Sequence, residues 1–465
     1  MNLIDNVDFL WIASGYKSGS LFTFFPNTAS SDLVFSRATS SGSRINSGGY
    51  VEFVAPHVPR LDFGSWQSSA VGCPFLKLES QRTNYIYSSQ LLQGGTVAWA
   101  SSSLRSFVTN SITAPDSSSQ VCLVTESALT GPKYIQQNGV SGIVAGSTST
   151  YSIFVKRFST GTSARNVALT TQNAYGGTVY FTLEGTGSWY AETATSPQTT
   201  ITFVSGAMIE PMANDWYRCS VTVYNGTYGG FSSRLRATLT SGSTITNSTR
   251  FDDTSGPVGY TGVSGAGLYL WGAQVESGSV HNEYTFGYNP NNSMVTSYIS
   301  TSVSTQVTRQ ADKKVEFPSS SNPTNFTVFC ILKQNISDNS GDSCLAISSG
   351  STNWFGIWVG GNPIWNTGSG GESVYVQGAV PTRATAGAEH KLALRYSASL
   401  VTWFRDGAIL GSQSFTITAP SWGKHVLGTK GSGVDDIGNN APIQFRTVAV
   451  LNRGLTDAEA ITLTT

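Results

Sequence analysis

The chain has 465 residues, and its 27 Lys and Arg residues balance 27 Asp and Glu residues, so the formal net charge at pH 7 is zero. This balance excludes the strongly basic surface of a dedicated nucleic-acid-binding protein. Charged residues make up 12% of the chain, about half of the ~25% that is usual in soluble domains, whereas aromatic residues reach 11%. Disordered chains lack that much apolar surface. The composition favours a folded, turn-rich β protein and argues against a helical cytosolic enzyme.

The N-terminal region lacks the features of a secretion signal. Its apolar run, residues 9–13, is short, has no basic stretch before it and follows Asp5 and Asp8. No stretch approaches the ~18 apolar residues that a membrane-spanning helix needs. We therefore expect no membrane partner and no conventional secretion, and release by cell lysis as part of a virus particle fits both observations.

The cysteines are widely spaced, and none belongs to a Cys-x-x-Cys motif, so zinc-finger and redox sites are not expected. The odd number favours free, buried thiols over a disulfide framework. The five positions are Cys73, Cys122, Cys219, Cys330 and Cys344.

Alternation with a period of two dominates the chain and predicts strands. Examples are residues 151–157 (YSIFVKR), 217–224 (YRCSVTVY) and 392–396 (LALRY). Near the end of the chain, Thr456 and Glu459 form a capping-box pattern that predicts one short helix. Many short strands with polar turns predict an all-β protein built from antiparallel β-sandwiches.

Changes in pattern divide the chain into four segments. Residues 1–90 are predicted to be rich in loops, and residues 91–290 contain a long series of strands. Residues 291–322 are polar and rich in Ser and Thr, which is typical of a connector. Residues 323–465 form a second series of strands that is predicted to fold as a sandwich of its own.

Four blocks near the N-terminus occur in a specific order: residues 33–39 (LVFSRAT), 44–52 (RINSGGYVE), 59–63 (PRLDF) and 73–86 (CPFLKLESQRTNYI). Together they resemble a module of tailed-phage and prophage virion proteins that is found in tail fibres, head fibres and other surface proteins. Ser80 stands where that family usually has Pro, and Lys77 where it usually has Leu.

Two further resemblances cover most of the remaining chain. Residues 215–223 (DWYRCSVTV) and 269–276 (YLWGAQVE) resemble strands of a carbohydrate-binding-module-like jelly roll. The C-terminal segment resembles a concanavalin A/laminin-G-like sandwich. The runs that carry this second resemblance are 326–329 (FTVF), 390–396 (HKLALRY), 401–407 (VTWFRDG) and 445–459 (FRTVAVLNRGLTDAE).

The virion family implies a location and a set of partners. Residues 1–90 would attach the protein to other virion proteins of the capsid or tail, and the two sandwiches would project outwards. Members of this family are usually homo-oligomers, commonly trimers. A net-neutral surface is compatible with self-association, because identical copies do not repel each other strongly.

Catalytic and metal sites are not indicated. A glycosidase needs two carboxyl groups about 5–10 Å apart, and the C-terminal segment lacks the Glu-x-Asp-x-x-Glu pattern of hydrolases that share its fold. Asp406-Gly407 predicts a hairpin turn, whereas Asp435-Asp436 is either a solvated loop, which we favour, or a calcium site. His390 is expected on the surface. We predict no catalytic residues, no metal and no cofactor.

Tryptophan and asparagine side chains cluster in the C-terminal segment, and this cluster is the best candidate for a ligand site. Aromatic rings stack on the apolar faces of sugars, and neutral amides hydrogen-bond to their hydroxyl groups. The alternative for each ring is burial in the core or in a subunit interface, which is what we expect for Trp216 and Trp271. The predicted glycan-binding residues are Trp354, Trp358, Trp365, Tyr375, Asn353, Asn362 and Asn366.

These observations predict a non-enzymatic phage virion surface protein, in a head or tail fibre or as decoration, that adheres to host-surface or environmental glycans. Two alternatives remain open. One is a polysaccharide depolymerase whose site is assembled between subunits, and the other is a structural cementing protein of the capsid or collar without a ligand.

Overall fold

The structure is a computed structural model of the whole chain. The residues that it describes are 7–13, 23–25, 35, 37, 42–64, 73–79, 81–90, 99–102, 104–110, 112–119, 121–131, 133–138, 140–143, 148–158, 164–172, 178–192, 202–224, 233–241, 251–252, 256–257, 260–277, 296–302, 305–312, 315–318, 325–334, 343–348, 353–358, 363–367, 373–375, 388–414, 424–427 and 443–465.

Strands dominate the described residues, as predicted. In chain order the first eighteen are β1 (Val7–Ile12), β2 (Thr23–Phe25), β3 (Gly42–Ile45), β4 (Val51–Val54), β5 (Leu61–Asp62), β6 (Phe75–Leu78), β7 (Arg82–Asn84), β8 (Trp99–Ser102), β9 (Leu104–Asn110), β10 (Val121–Glu126), β11 (Thr130–Gly131), β12 (Tyr134–Asn138), β13 (Thr148–Arg157), β14 (Arg165–Gln172), β15 (Thr178–Thr182), β16 (Ser188–Glu192), β17 (Thr202–Pro211) and β18 (Tyr217–Tyr224).

The elements that follow are again strands, with one helix at the end of the chain. They are β19 (Ser233–Ser241), β20 (Phe251–Asp252), β21 (Gly256–Pro257), β22 (Tyr260–Thr261), β23 (Gly267–Ser277), β24 (Val307–Arg309), β25 (Val315–Pro318), β26 (Phe326–Gln334), β27 (Ser343–Ser348), β28 (Asn353–Trp358), β29 (Pro363–Thr367), β30 (Ser373–Tyr375), β31 (Glu389–Ser397), β32 (Leu400–Arg405), β33 (Ala408–Ser414), β34 (Lys424–Leu427), β35 (Ile443–Leu451) and α1 (Asp457–Thr464).

The chain divides into two compact units. Unit 1 comprises residues 1–47, 53–81 and 310–465, and unit 2 comprises residues 48–52 and 82–309. These units differ from the predicted segments, in which residues 1–90 and residues 323–465 are separate parts of the chain. In unit 1, β1 and β6 both pair with β35, so strands of the N-terminal segment complete a sheet of the C-terminal one.

Unit 1 is a sandwich of two antiparallel sheets. One sheet has the order β2-β1-β35-β26-β31-β32-β33, with β6 also on β35 and β5 on β6, and the other has the order β25-β34-β27-β28-β29-β30. Alternate residues of β26, from Phe326 to Leu332, share a core with Leu427 of β34. On the opposite face of the larger sheet, Phe329 packs in a smaller cluster with Ala460 of α1.

The C-terminal helix has the predicted capping box. The Thr456 side chain accepts a hydrogen bond from the Glu459 backbone N–H, and the Glu459 carboxylate accepts one from the Thr456 N–H. The Arg453 guanidinium bonds to the same carboxylate and, with the Thr456 N–H, lowers the pKa of Glu459 to about 2. Helix α1 is too short and not apolar enough to cross a membrane, and the same is true of every helix among the described residues.

Unit 2 is also a sandwich. Its sheets have the orders β17-β18-β13-β23-β10-β9 and β16-β15-β14-β19-β12-β8. Both sheets contribute to one apolar core, for example through Ile153 and Leu270 from the first and Leu169 and Leu235 from the second. The predicted free thiols Cys122 and Cys219 are buried there, and burial raises the pKa of each. Cys330 is also free and buried, in unit 1, whereas Cys73 is exposed, contrary to expectation.

Trp271 is buried, as predicted, but on the face of β23 that lies away from the main core. It packs against Phe154 and Tyr298, with ring centroids 5.3 and 4.7 Å away. Tyr298 belongs to residues 296–302, part of the predicted connector, and residues 296–299 of this stretch are buried within unit 2. Trp216 is buried as well. The polar side chains of residues 296–299 therefore face the protein interior rather than solvent.

Asn84, the last residue of the RTN sequence in the N-terminal motif, organises this part of unit 2. Its Nδ2 donates to the carbonyl oxygens of Ala273 (3.1 Å) and Ile299 (2.7 Å), and its Oδ1 accepts from the backbone N–H groups of Ile86 and Val275, each at 3.1 Å. The side chain is fully buried. One amide thus links β7, β23 and the stretch 296–302.

We predict that Asn84→Ala lowers the free energy of unfolding of unit 2 by about 3 kcal/mol, because buried backbone groups lose their partners. Thr83→Val is the matched control: Thr83 makes a single side-chain bond, to Thr308 (2.7 Å), and is only half-buried, so we expect less than about 1 kcal/mol. Urea unfolding followed by tryptophan fluorescence measures both variants. Equal effects would contradict the role assigned to Asn84.

Candidate functional site

Charged residues from three of the four blocks of the N-terminal motif meet inside unit 1. Arg37 bonds to Asp312 (Nη1–Oδ1 3.2 Å), and Arg60 bonds to both Asp312 and Glu79. The side chains of Arg37, Arg60, Glu79 and Asp312 are completely buried. Asp312 lies 233 residues from Glu79 in the chain, and its Oδ2 also accepts the Glu79 backbone N–H at 2.8 Å.

The network continues through Lys77 and Asp62. The Lys77 Nζ lies 3.1 Å from an Asp62 oxygen and 3.8 Å from Glu79, and both lysine and aspartate are nearly completely buried. Burial lowers the pKa of Arg60, but the nearby Asp312 and Glu79 carboxylates outweigh this and raise it above its usual value. Three cations therefore face three carboxylates, and the motif is explained as a buried, charge-balanced network.

We predict that Asp312→Asn lowers the free energy of unfolding of unit 1 by about 3–5 kcal/mol, because Arg37 and Arg60 both lose the charge of a buried carboxylate that they share. Asp457→Asn, which alters a half-exposed ion pair with Arg395, should change it by less than about 1 kcal/mol. Differential scanning calorimetry of the full chain compares the two. A small effect of Asp312→Asn would show that the network does not stabilise the fold.

The predicted aromatic residues lie on three adjacent strands, β28, β29 and β30, of the six-stranded sheet. In the strand register, Trp354 is opposite Asn366, and Asn366 is opposite Ser373. The row continues on the other side to Ser348 of β27. Directly paired residues share a face of the sheet, and residues two apart on one strand do so as well.

This register separates the predicted residues into two sets. Trp354, Trp358, Asn366 and Tyr375 occupy one face, which we call the aromatic face and which also includes Gly356, Ile364, Ser373, Ala346 and Ser348. Trp365 and Asn353 occupy the opposite face. Asn362 lies outside the described residues. The expectation that Trp354 and Trp358 share a face is met, because β28 is continuous.

Leu427 shows which face is interior. It is fully buried in the core of unit 1, and in the register it is opposite Leu345, which shares its face with Ile347. Ile347 is in turn opposite Phe355, and Phe355 is opposite Trp365. Trp365 therefore belongs to the face that carries Leu427, and the aromatic face is the other one.

The aromatic face is chemically neutral. Strands β27 to β30 contain no Asp, Glu, Lys or Arg. On this face the register places charged residues only on the two strands at the other side of β27. Lys424 of β34 is opposite Ser348 of β27, and Glu316 lies on β25, the next strand after β34. Adjacent strands are about 4.8 Å apart, so the three outer strands form a strip about 10 Å wide of aromatic, amide and hydroxyl residues.

The remaining tryptophans of the C-terminal segment differ from this set. Trp403 is buried in the core of unit 1, and Trp422 lies outside the described residues. Sequence reasoning missed Ser348 and Ser373 as members of the same row. They come from separate strands, and only cross-strand pairing brings them beside Trp354 and Asn366.

His390 is buried rather than on the surface, which corrects the expectation. It lies within β31, and its Nδ1 is 2.7 Å from the Asp406 carboxylate. Asp406 and Gly407 form the predicted hairpin turn between β32 and β33, with φ values of 49° and 80°. Burial raises the pKa of Asp406, but hydrogen bonds from His390 and the Lys391 N–H outweigh it, so the pKa is lowered. The contact between His390 and Asp406 therefore stabilises the hairpin turn between β32 and β33.

Buried carboxylates of unit 2 also have defined partners. Glu126 receives two bonds from Arg165, at 2.6 and 2.8 Å, and Glu276 accepts the backbone N–H of Thr296 at 3.1 Å. Among the described residues, no three His, Cys, Asp or Glu side chains are grouped in a way that could hold a metal ion. Asp435 and Asp436 lie outside those residues.

Comparison with known proteins gives matches only among solved structures. No protein-family model and no curated protein matches the chain. Domain 4 of AbnA, a GH43 extracellular arabinanase from Geobacillus stearothermophilus solved with arabinotriose, is 14% identical, with a TM-score of 0.27 over 33% of this chain and 73% of that one.

Two further solved structures show a similar degree of likeness. The CBM40 of the Ruminococcus gnavus IT-sialidase, solved with α2,6-sialyllactose, is 15% identical, with a TM-score of 0.26 over 31% of this chain and 84% of that one. The binding domain of botulinum neurotoxin DC, solved with rat synaptotagmin II, is 11% identical, with a TM-score of 0.27 over 33% of this chain and 40% of that one.

Proposed function

We propose that this chain is a glycan-binding surface protein of a tailed-phage particle and acts by adhesion rather than by catalysis. The observation that carries the adhesion is the register of β28, β29 and β30. It collects Trp354, Trp358, Tyr375 and Asn366 on the face opposite the one that carries Leu427. Neutral saccharides require such a combination, because rings stack on their C–H faces while amides and hydroxyls satisfy their polar groups.

The spacing along the strand suits an extended ligand. Trp354 and Trp358 are four residues apart on β28, which corresponds to about 14 Å at ~3.4 Å per residue. A sheet face, unlike a closed pocket, would let the chain of a polysaccharide continue beyond the contacts in both directions. Gly356 lies between the two tryptophan positions on the same face and leaves space there.

The virion location is supported by the N-terminal motif. Its blocks resemble those of phage fibre and decoration proteins, and charged residues from three of these blocks join one buried network with Asp312. On this proposal the protein contacts other virion proteins, binds glycans on the host surface or in the environment, and forms a homo-oligomer, with a trimer favoured.

We predict that Trp354→Ala and Trp358→Ala each weaken glycan binding at least about tenfold, because each removes a stacking surface, while the unfolding temperature changes little. Trp365→Ala is the matched control: its position is on the core-side face, so we expect it to lower the unfolding temperature, in line with the ~3–5 kcal/mol typical of a buried Trp→Ala change. A glycan array followed by calorimetric titration of the best ligand measures binding. Unchanged binding in the first two variants would refute the adhesion site.

The same preparation tests the two alternative functions. Release of reducing sugar from host polysaccharide, abolished by acid-to-amide substitutions, would indicate a depolymerase. A folded protein that neither binds nor cleaves any glycan would indicate a structural cementing role.

We predict that a gold label at the C-terminus appears on the surface of intact particles by electron microscopy, at the capsid or along the tail. Particles of a mutant phage that lacks the gene provide the control. A label found only on unassembled protein would contradict the virion location and leave the glycan-binding result unaffected.

A further inference from the structure

A second cluster of charged side chains lies in unit 1, on the face of the nine-stranded sheet that also carries Phe329 and α1. Its centre is Phe75, which is nearly completely buried. The Arg446 guanidinium carbon lies 4.4 Å from the centre of the Phe75 ring, and the Lys333 Nζ lies 4.9 Å from it. Two cations therefore share one aromatic ring, an arrangement favoured by attraction between cations and π-electrons.

Gln444 completes the cluster. In the register of the sheet it is directly opposite Lys333 on β26 and directly opposite Lys77 on β6. Its side chain is 1% exposed, and its Nε2 has no hydrogen-bond partner among the described residues. Leaving a buried amide without a partner is unfavourable by about 1–3 kcal/mol, so this nitrogen requires an acceptor.

Arg446 supplies two further donors of the same kind. A register shift opposite Ile331 and Leu332 makes Arg446 the extra residue of a β-bulge in β35, and bulges commonly redirect a side chain. Its Nη1 bonds to Glu389 at 2.7 Å, whereas its Nε and Nη2 are buried and have no partner among the described residues. Nε and Nη2 form the edge of a guanidinium that binds both oxygens of a carboxylate, sulfate or phosphate.

The Glu389 carboxylate acts on both cations at Phe75: it bonds to Arg446, and it raises the pKa of Lys333. Burial lowers the pKa of Lys333, and Arg446 lowers it further, while Glu389 raises it. Glu389 is 25% exposed and Arg446 16% exposed, so the cluster borders on solvent on their side.

We propose that Arg446, Gln444 and Lys333 form a binding site for an oxyanion, with the Nε and Nη2 of Arg446 and the Nε2 of Gln444 as the donors. The group recognised is a carboxylate, sulfate or phosphate, whose oxygens accept hydrogen bonds from these donors. This site is separate from the aromatic face, which is neutral. The oxyanion is either a free inorganic ion or the carboxylate of an acidic sugar.

The test is titration of the full-length protein with sodium sulfate, sodium phosphate and sodium glucuronate, with sodium chloride at matched ionic strength as the reference. We expect saturable binding by calorimetry and a saturable rise in unfolding temperature for at least one of the three. Binding of sulfate or phosphate alone identifies an inorganic-ion site, and binding of glucuronate identifies a site for acidic sugars. Absence of saturable binding by all three anions overturns the proposal.

Variants separate this site from the general stabilisation that sulfate gives to most proteins. Arg446→Lys keeps the charge but loses the two-pronged edge, and Gln444→Met keeps the shape but loses the donor, so each should weaken binding at least about tenfold. Gln444→Met should leave the unfolding temperature without added anion unchanged or slightly higher, because it removes an unpaired amide.

Arg453→Lys is the matched control, since the Nη1 and Nη2 of Arg453 are already bound to Glu459, each at 2.8 Å, and its anion response should equal that of the original protein. If the anion response were the same in all three variants, the site would not be formed by these residues. This result is independent of glycan binding by the aromatic face.

Discussion

The structure of unit 1 depends on pairing charged side chains that folding removes from water. Arg60, Glu79 and Asp312 are all fully buried, and each ionised group loses several kcal/mol of hydration that buried partners must replace. Their positions in the chain are far apart, so the network forms only when the N-terminal segment and residues near Asp312, in the predicted connector, are folded together. Three of the four blocks of the motif contribute charged side chains to this one cluster, and no block is sufficient alone.

Unit 2 meets the same requirement with neutral groups. The stretch 296–302 has no regular secondary structure, so its backbone groups cannot pair within a ladder. Asn84 and Gln274 bond to it instead: the Gln274 Oε1 accepts the Ile299 N–H at 2.6 Å, and Asn84 donates to the Ile299 carbonyl. A segment rich in Ser and Thr is thus buried at little energetic cost, because the backbone groups that these amides reach exchange water for a protein partner.

The two proposed sites of unit 1 illustrate how one sandwich can offer different chemistries. The outer strands of the smaller sheet present Trp, Tyr, Asn and Ser positions without charges, which suits neutral hydroxylated ligands. The larger sheet instead places Arg446 and Lys333 at a phenyl ring, with Gln444 opposite Lys333, and low solvent access there strengthens ionic hydrogen bonds. In each case the sheet supplies rigid spacing, and the side chains at alternate positions decide which ligand fits.

Local features were predictable from the sequence because a few neighbouring residues determine them. The alternating strands, the capping box of Thr456 and Glu459 and the turn at Asp406-Gly407 are examples. Burial of Trp271 also follows from apolar neighbours on its strand, and burial of Trp216 from those of β18, which begins at the next residue.

Only the tertiary structure decided which distant segments pair. Strands β1 and β6 join β35, His390 is buried against Asp406, and Trp354 and Trp365 fall on opposite faces. These outcomes depend on cross-strand register between segments that are far apart in the chain. A shift of one residue in that register would exchange the two faces, and no local pattern specifies it.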